Sequence, residues 1–167
     1  MNHFEPSCQT ILHLLEQWEP RLNALPEDVI SNRVNKQNRS IRQILGHLID
    51  SASNNTHRIV HLQYGENPLS YPNYATNGNN DRWIDIQRYQ AENWQHLVQL
   101  WKYSNLHIVH IIRHVDDQKL NNQWQSSESK LLSLQENIEG YLPHLVLHLN
   151  EIEELIERKE KEIKNVK

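Results

Sequence analysis

The chain has 167 residues, with 17 basic and 21 acidic side chains, a net charge of -4 and a pI near 6.2. A chain of that length can bury a core without disulfides or a structural metal, and residues 1–160 read as one domain followed by a charged tail, 161–167. The acidic balance excludes a nucleic-acid binder built on a basic surface, no apolar stretch approaches the roughly 20 residues that span a bilayer, and no signal peptide is visible, so a cytoplasmic location without a membrane partner is expected.

Four glycines, six prolines and long runs rich in Leu, Ile, Glu and Gln point to an all-helical protein. The first helix is expected from Ser7, as N-cap, to Ala24, with Ile11, Leu14, Leu15, Trp18 and Leu22 on one face and Pro20 bending or ending it. Cys8, the lone cysteine, reads as incidental. The second helix opens at Ser40, where Ser-Ile-Arg-Gln forms a capping box with Gln43, and ends at Gly65. Its apolar stripe runs from Ile41 through Ile44, Leu48 and Ala52 to Ile59 and Val60.

Residues 64–80 form a long connection, of the kind that is functional or a crossover in a compact domain. A third helix is expected from Asp81 to His114, with a break near Ser104-Asn105 and a buried face that includes Trp83, Trp94, Trp101 and Ile108. Asp116 to Lys130 reads as a second, polar connection with Leu120 and Trp124 as its apolar exceptions. The fourth helix opens with a second capping box, Ser133 to Glu136, and runs to about Lys159, with a frayed and solvated end beyond. Together these elements predict a four-helix bundle with a long crossover connection, not a simple up-down-up-down one.

Eleven histidines produce several i,i+4 pairs, and helical phase sorts them. His96, His107, His110 and His114 fall roughly 100–160° from the stripe of the third helix, on the solvent side. His57 and His61 lie roughly 150–170° from theirs. His144 and His148 differ: His148 sits about 70° from the stripe centre and His144 at its margin, so the pair faces inward. Two imidazoles so placed can grip one divalent ion, or they can be hydrogen-bonded residues at a core edge. Pro143 is expected to bend the helix beside them by leaving the carbonyl of Glu139 unpaired. The phase of His47 does not single it out, but Gly46, His47, Asp50, Ser51 and Asn54 make a face of short, poor helix formers. Such a face suits either a tight, wet cavity or close helix packing.

The segments Ser40-Ile41-Arg42-Gln43-Ile44-Leu45-Gly46-His47-Leu48 and Tyr141-Leu142-Pro143-His144-Leu145-Val146-Leu147-His148, about 95 residues apart, resemble the Gly-His-Leu and His-x3-His helices of the DinB superfamily. The aromatic third helix and the overall length fit as well. The resemblance implies a DinB/YfiT-like bundle whose crossover lies in 64–80, three metal ligands at His47, His144 and His148, and a homodimer. It also implies, for some relatives, transfer chemistry with a low-molecular-weight thiol such as bacillithiol.

Three imidazoles on Zn2+ or Ni2+ leave a position open for a thiol or a water, as in a catalytic rather than a structural site. Asp50 and Asn54 then become candidates for hydrogen bonds that orient the imidazoles or a ligand. The expected activity is metal-dependent thiol transfer to an electrophilic small molecule. A metal-dependent hydrolase and a non-catalytic, metal-binding or stress-induced helical protein are the alternatives.

Overall fold

Ser40 and Ser133 open two helices in the way their capping boxes require. Gln43 N–H donates to Ser40 Oγ at 3.2 Å while Ser40 N–H donates to Gln43 Oε1 at 2.9 Å. Glu136 and Ser133 repeat the exchange at 3.1 and 2.7 Å. In the computed structural model, which describes residues 3–164 with side chains as far as 158, these helices belong to a bundle. In chain order the elements are α1 (Glu5–Asn23), α2 (Glu27–Asn32), α3 (Ile41–Tyr64), α4 (Asn79–Gln87), α5 (Trp94–Arg113), β1 (Gln123–Ser127), β2 (Lys130–Ser133), α6 (Leu134–Glu139) and α7 (Tyr141–Lys164).

The long helices α1, α3, α5 and α7 enclose one contiguous apolar cluster that includes Trp101, Leu45, Leu48, Leu97 and Ile152. α3 packs chiefly on α5, α5 on α1, α3 on α7 and α1 on α7. Around the bundle the order is therefore α1, α5, α3, α7, and the chain crosses a diagonal between α1 and α3 and again between α5 and α7. The fold is all-α with a two-stranded sheet as its one addition among the described residues. No described helix is long and apolar enough to cross a membrane.

Several boundaries differ from the sequence reading. α1 begins at Glu5 with Phe4, not Ser7, in the cap position. Pro6 needs no donor in a first turn, and Phe4 is buried in the core, so the helix extends to them. Pro20 neither ends nor interrupts the helix, which continues to Asn23. The third predicted helix does break, but at Arg88, in the left-handed region with φ 53°, followed by a 3-10 turn at Tyr89–Ala91 and a new cap at Asn93. Ser104-Asn105 stays helical. Asn105 is fully buried and satisfied there, its Nδ2 donating to Trp101 O at 2.8 Å and its Oδ1 accepting from Tyr141 Oη of α7 at 2.7 Å.

Trp83 and Val60, expected inside, are 38% and 40% exposed. The polar connection 116–130 leads into a hairpin, β1 with β2, whose Trp124 is buried and donates from Nε1 to Tyr71 O in the 64–80 connection at 2.9 Å. The fourth helix is interrupted at Gly140, which separates α6 from α7. Pro143 falls in the first turn of α7, where a missing donor costs nothing, so the break lies three residues before it. α7 continues to Lys164, into the expected tail; residues 165–167 lie outside the described residues.

Candidate metal centre

His47 sits in the second turn of α3, and His144 and His148 in the first two turns of the adjacent α7. His144 Nε2 lies 3.3 Å from His47 Nε2 and 3.2 Å from His148 Nε2. Two nitrogens bound tetrahedrally to one ion at about 2.05 Å are separated by about 3.3 Å, so this spacing fits a shared ion. The three residues form a group able to hold a metal ion.

The outer ring nitrogens help decide which way the lone pairs face. His148 Nδ1 lies 3.0 Å from Glu151 Oε2, which also accepts from Asn35 Nδ2 at 3.1 Å. An ionised carboxylate only accepts, so it keeps the proton on Nδ1 and aims the Nε2 lone pair at the centre. His144 Nδ1 lies 3.3 Å from Ser51 Oγ. His47 Nδ1 is buried without a hydrogen-bond partner. Burial, then His148, His144 and Arg39, pushes His47 down to about 2, and burial, then His148 and Arg58, pushes His144 down to about 4. Both rings are therefore neutral near pH 7, the form a metal requires.

The remaining sequence candidates lie close by with other partners. Asp50 is buried one turn beyond His47, but its Oδ1 accepts from Tyr89 Oη at 2.6 Å and Gln87 Nε2 at 2.7 Å, and its Oδ2 is unpartnered. Asn54 donates back along its own helix to Asp50 O at 2.9 Å. Neither makes a hydrogen bond to an imidazole. Ser51 and Glu151 occupy that position instead, and Glu151 was legible as the i+3 neighbour of His148 on one helix face. His107 and His110 stand exposed on α5 and His114 at its C-cap, as their phase predicts, while His57 is exposed and His61 half-buried on α3.

No protein-family profile matches the sequence, and no curated protein matches it. Among solved structures, YfiT from Bacillus subtilis, described as a probable metal-dependent hydrolase with an unusual four-helix bundle topology, aligns with a TM-score of 0.75. The match covers 91% of this chain and 87% of YfiT at 16% identity. The chain has the YfiT fold.

Beside the imidazoles, the YfiT-like bundle holds a cavity of about 250 Å³ that reaches from His144 and Ser51 to the 64–80 connection and the hairpin. Tyr74 and Trp124 give it aromatic walls, and the Tyr74 ring centroid lies 5.9 Å from that of His47. The long connection thus lines the site with residues that neither helix motif contains.

The perturbed groups make the stability of the fold depend on pH. In the unfolded chain a histidine near 6.5 takes up a proton before the folded His47 or His144 does, so their contribution is complete above 6.5 and is lost as pH falls below it. Asp50, which burial raises to about 6 against the hydrogen bonds of Tyr89 and Gln87, acts the other way: its cost is present above 6 and fades toward 4. Two histidines outweigh one carboxyl. Metal-free protein should be less stable at pH 5 than at pH 7 by on the order of 2 kcal/mol, read as a lower urea midpoint. An unchanged or higher midpoint at pH 5 would contradict this balance.

Proposed function

We propose that this chain is a metal-dependent enzyme acting on a small molecule, with His47, His144 and His148 holding one divalent ion, Zn2+ or Ni2+. The observation that carries the reading is the convergence of three imidazole nitrogens, with the proton of His148 held on the outer side by Glu151. Three nitrogen donors leave coordination free for a substrate, which is the pattern of catalytic sites. When bound, such an ion polarises a carbonyl and makes a water or a thiol acidic enough to react near neutral pH.

The protein's part is positional. Ser51 and Glu151 hold the orientation of His144 and His148, and Tyr74 and Trp124 line the cavity beside them. Hydrolysis is the reaction we favour, because the structural neighbour YfiT is described as a probable metal-dependent hydrolase and the cavity beside the imidazoles can seat one small substrate. Thiol transfer with a bacillithiol-like cofactor is the second reading. It is supported by the continuation of the cavity to the exposed Ala75, where a longer ligand can extend into solvent.

Protein loaded with Zn2+ or Ni2+ should hydrolyse members of a panel of small esters and amides, or conjugate bacillithiol to an epoxide or haloalkane. His47→Ala should lower the rate by about a hundredfold or more. Rates that survive both chelation and His47→Ala would refute a metal-dependent reaction.

A further inference from the structure

Three arginines are buried among the described residues, and two of them have acids. Arg39 pairs with Asp81 at 2.5 Å and Arg42 with Glu27 at 2.7 Å. Arg58, 7% exposed, pairs with no carboxylate among the described residues. Its Nη2 donates to Asn55 Oδ1 at 3.0 Å, its guanidinium lies 4.3 Å over the Trp124 ring, and its Nε has no partner. A desolvated cation without a counter-charge is costly, and protein interiors usually supply one. Here the guanidinium lines the cavity that also contains His144. Asn137, on the same wall, has a buried Nδ2 that likewise lacks a partner. The carboxylate at the rim, Glu136, is turned to Ser133, whose N–H and hydroxyl it accepts at 2.7 and 2.8 Å.

We propose that this cavity binds the carboxylate of a small, carboxylate-bearing substrate, with Arg58 as its anchor. The proposal specifies the substrate class for the metal-dependent reading and rests on it for the nature of the site. The guanidinium, which has no counter-charge among the described residues, gains one when the ligand arrives. Trp124 covers one face of the guanidinium and Asn55 occupies one nitrogen, which leaves part of the planar edge for an anion. One unpaired positive charge matches a monoanion, and for that reason a carboxylate is favoured over a phosphate dianion. The remainder of such a substrate would extend toward His144, where the reacting group meets the metal centre.

The test uses benzoate, its neutral isostere benzamide and inorganic phosphate as probes, titrated calorimetrically into metal-free and Zn2+-loaded protein. Benzoate should bind unmodified protein about tenfold to a hundredfold more tightly than benzamide, with or without the metal. Arg58→Met should remove that preference and Arg58→Lys should keep part of it. Equal affinity for the two probes overturns the anchor without reliance on any variant, and tighter binding of phosphate overturns the carboxylate assignment. A preference that appears only with Zn2+ and survives Arg58→Met puts the carboxylate on the ion and overturns the role of Arg58. Elemental analysis of the same samples separates the two readings. An Arg58-dependent preference in protein that takes up no metal leaves the anchor standing and removes the metal centre, and full metal loading without a preference does the reverse.

Discussion

His148→Ala is expected to abolish stoichiometric metal binding while the helical circular dichroism spectrum is retained. The substitution removes one of three donors, and it is the donor whose lone pair Glu151 aims at the centre. Two nitrogens cannot hold an ion as three do, and a loss of affinity of two to three orders of magnitude or more is expected, given that removing an outer-shell partner alone costs about 10- to 100-fold. Folding should survive because the apolar cluster runs through all four long helices without drawing on the histidines. Elemental analysis after dialysis reads the loss directly. His110→Ala and His114→Ala provide the controls: both residues are exposed at the C-terminal end of α5, and His114 Nδ1 lies 2.7 Å from the carbonyl oxygen of His110. Full metal stoichiometry in a His144→Ala/His148→Ala protein would eliminate the proposed centre.

The second large effect concerns packing next to the site. A Cβ at Gly46 would lie 2.2 to 2.7 Å from three ring atoms of Tyr89. That ring is buried, follows the left-handed turn at Arg88, and is held by its hydroxyl bond to Asp50. With so little freedom to withdraw, Gly46→Ala should destabilise the protein by about 2–3 kcal/mol, despite the better helix propensity of alanine. For a domain of this size that lowers Tm by about 5–10 °C. A combined Gly46→Ala/Tyr89→Ala protein should lose less than the sum of the two single losses, since the clash is removed with the ring. A Gly46→Ala protein within about 0.5 kcal/mol of the wild type would show that the ring moves aside freely.

The parts of the fold governed by periodicity and by short-range chemistry were legible in the sequence. The two capping boxes mark α3 and α6 to the residue, and Gly65 ends α3 as expected. Phase separated the inward His144 and His148 from the exposed histidines of α5. His47 was harder, because α3 is buried on nearly every side between Ile41 and Ala52, and an apolar stripe has no meaning for a helix without a solvent face. Its small polar neighbours were the better guide, and they line the interior.

What escaped the reading was decided by tertiary contacts. The aromatic pattern of the third helix continues across Arg88 without a glycine or proline to mark the turn, and the chain breaks there so that Tyr89 can reach Asp50. The hairpin is mostly polar outside Trp124, Leu131 and Leu132 and has no glycine at its tip; it is ordered through Trp124 and by Leu69, whose N–H donates to Gln123 O at 2.7 Å. Arg58 gave no signal at all, since a lone arginine on a helix reads as solvated until its missing counter-ion is seen.

The bond from Tyr141 to Asn105 reaches between the two helices that face each other across a diagonal of the bundle. A helix advances about 1.5 Å and turns about 100° per residue, so a slip of α7 by one residue would both lower and rotate every side chain it carries. Hydrophobic contacts tolerate small sliding, whereas a buried hydroxyl facing a buried amide oxygen tolerates very little. Tyr141 precedes His144 by a single turn, and the break at Gly140 frees α7 from the alignment of α6. The tyrosine thus serves as a depth stop. It fixes how far the helix is inserted, and with that the height at which two of the three imidazoles meet the third.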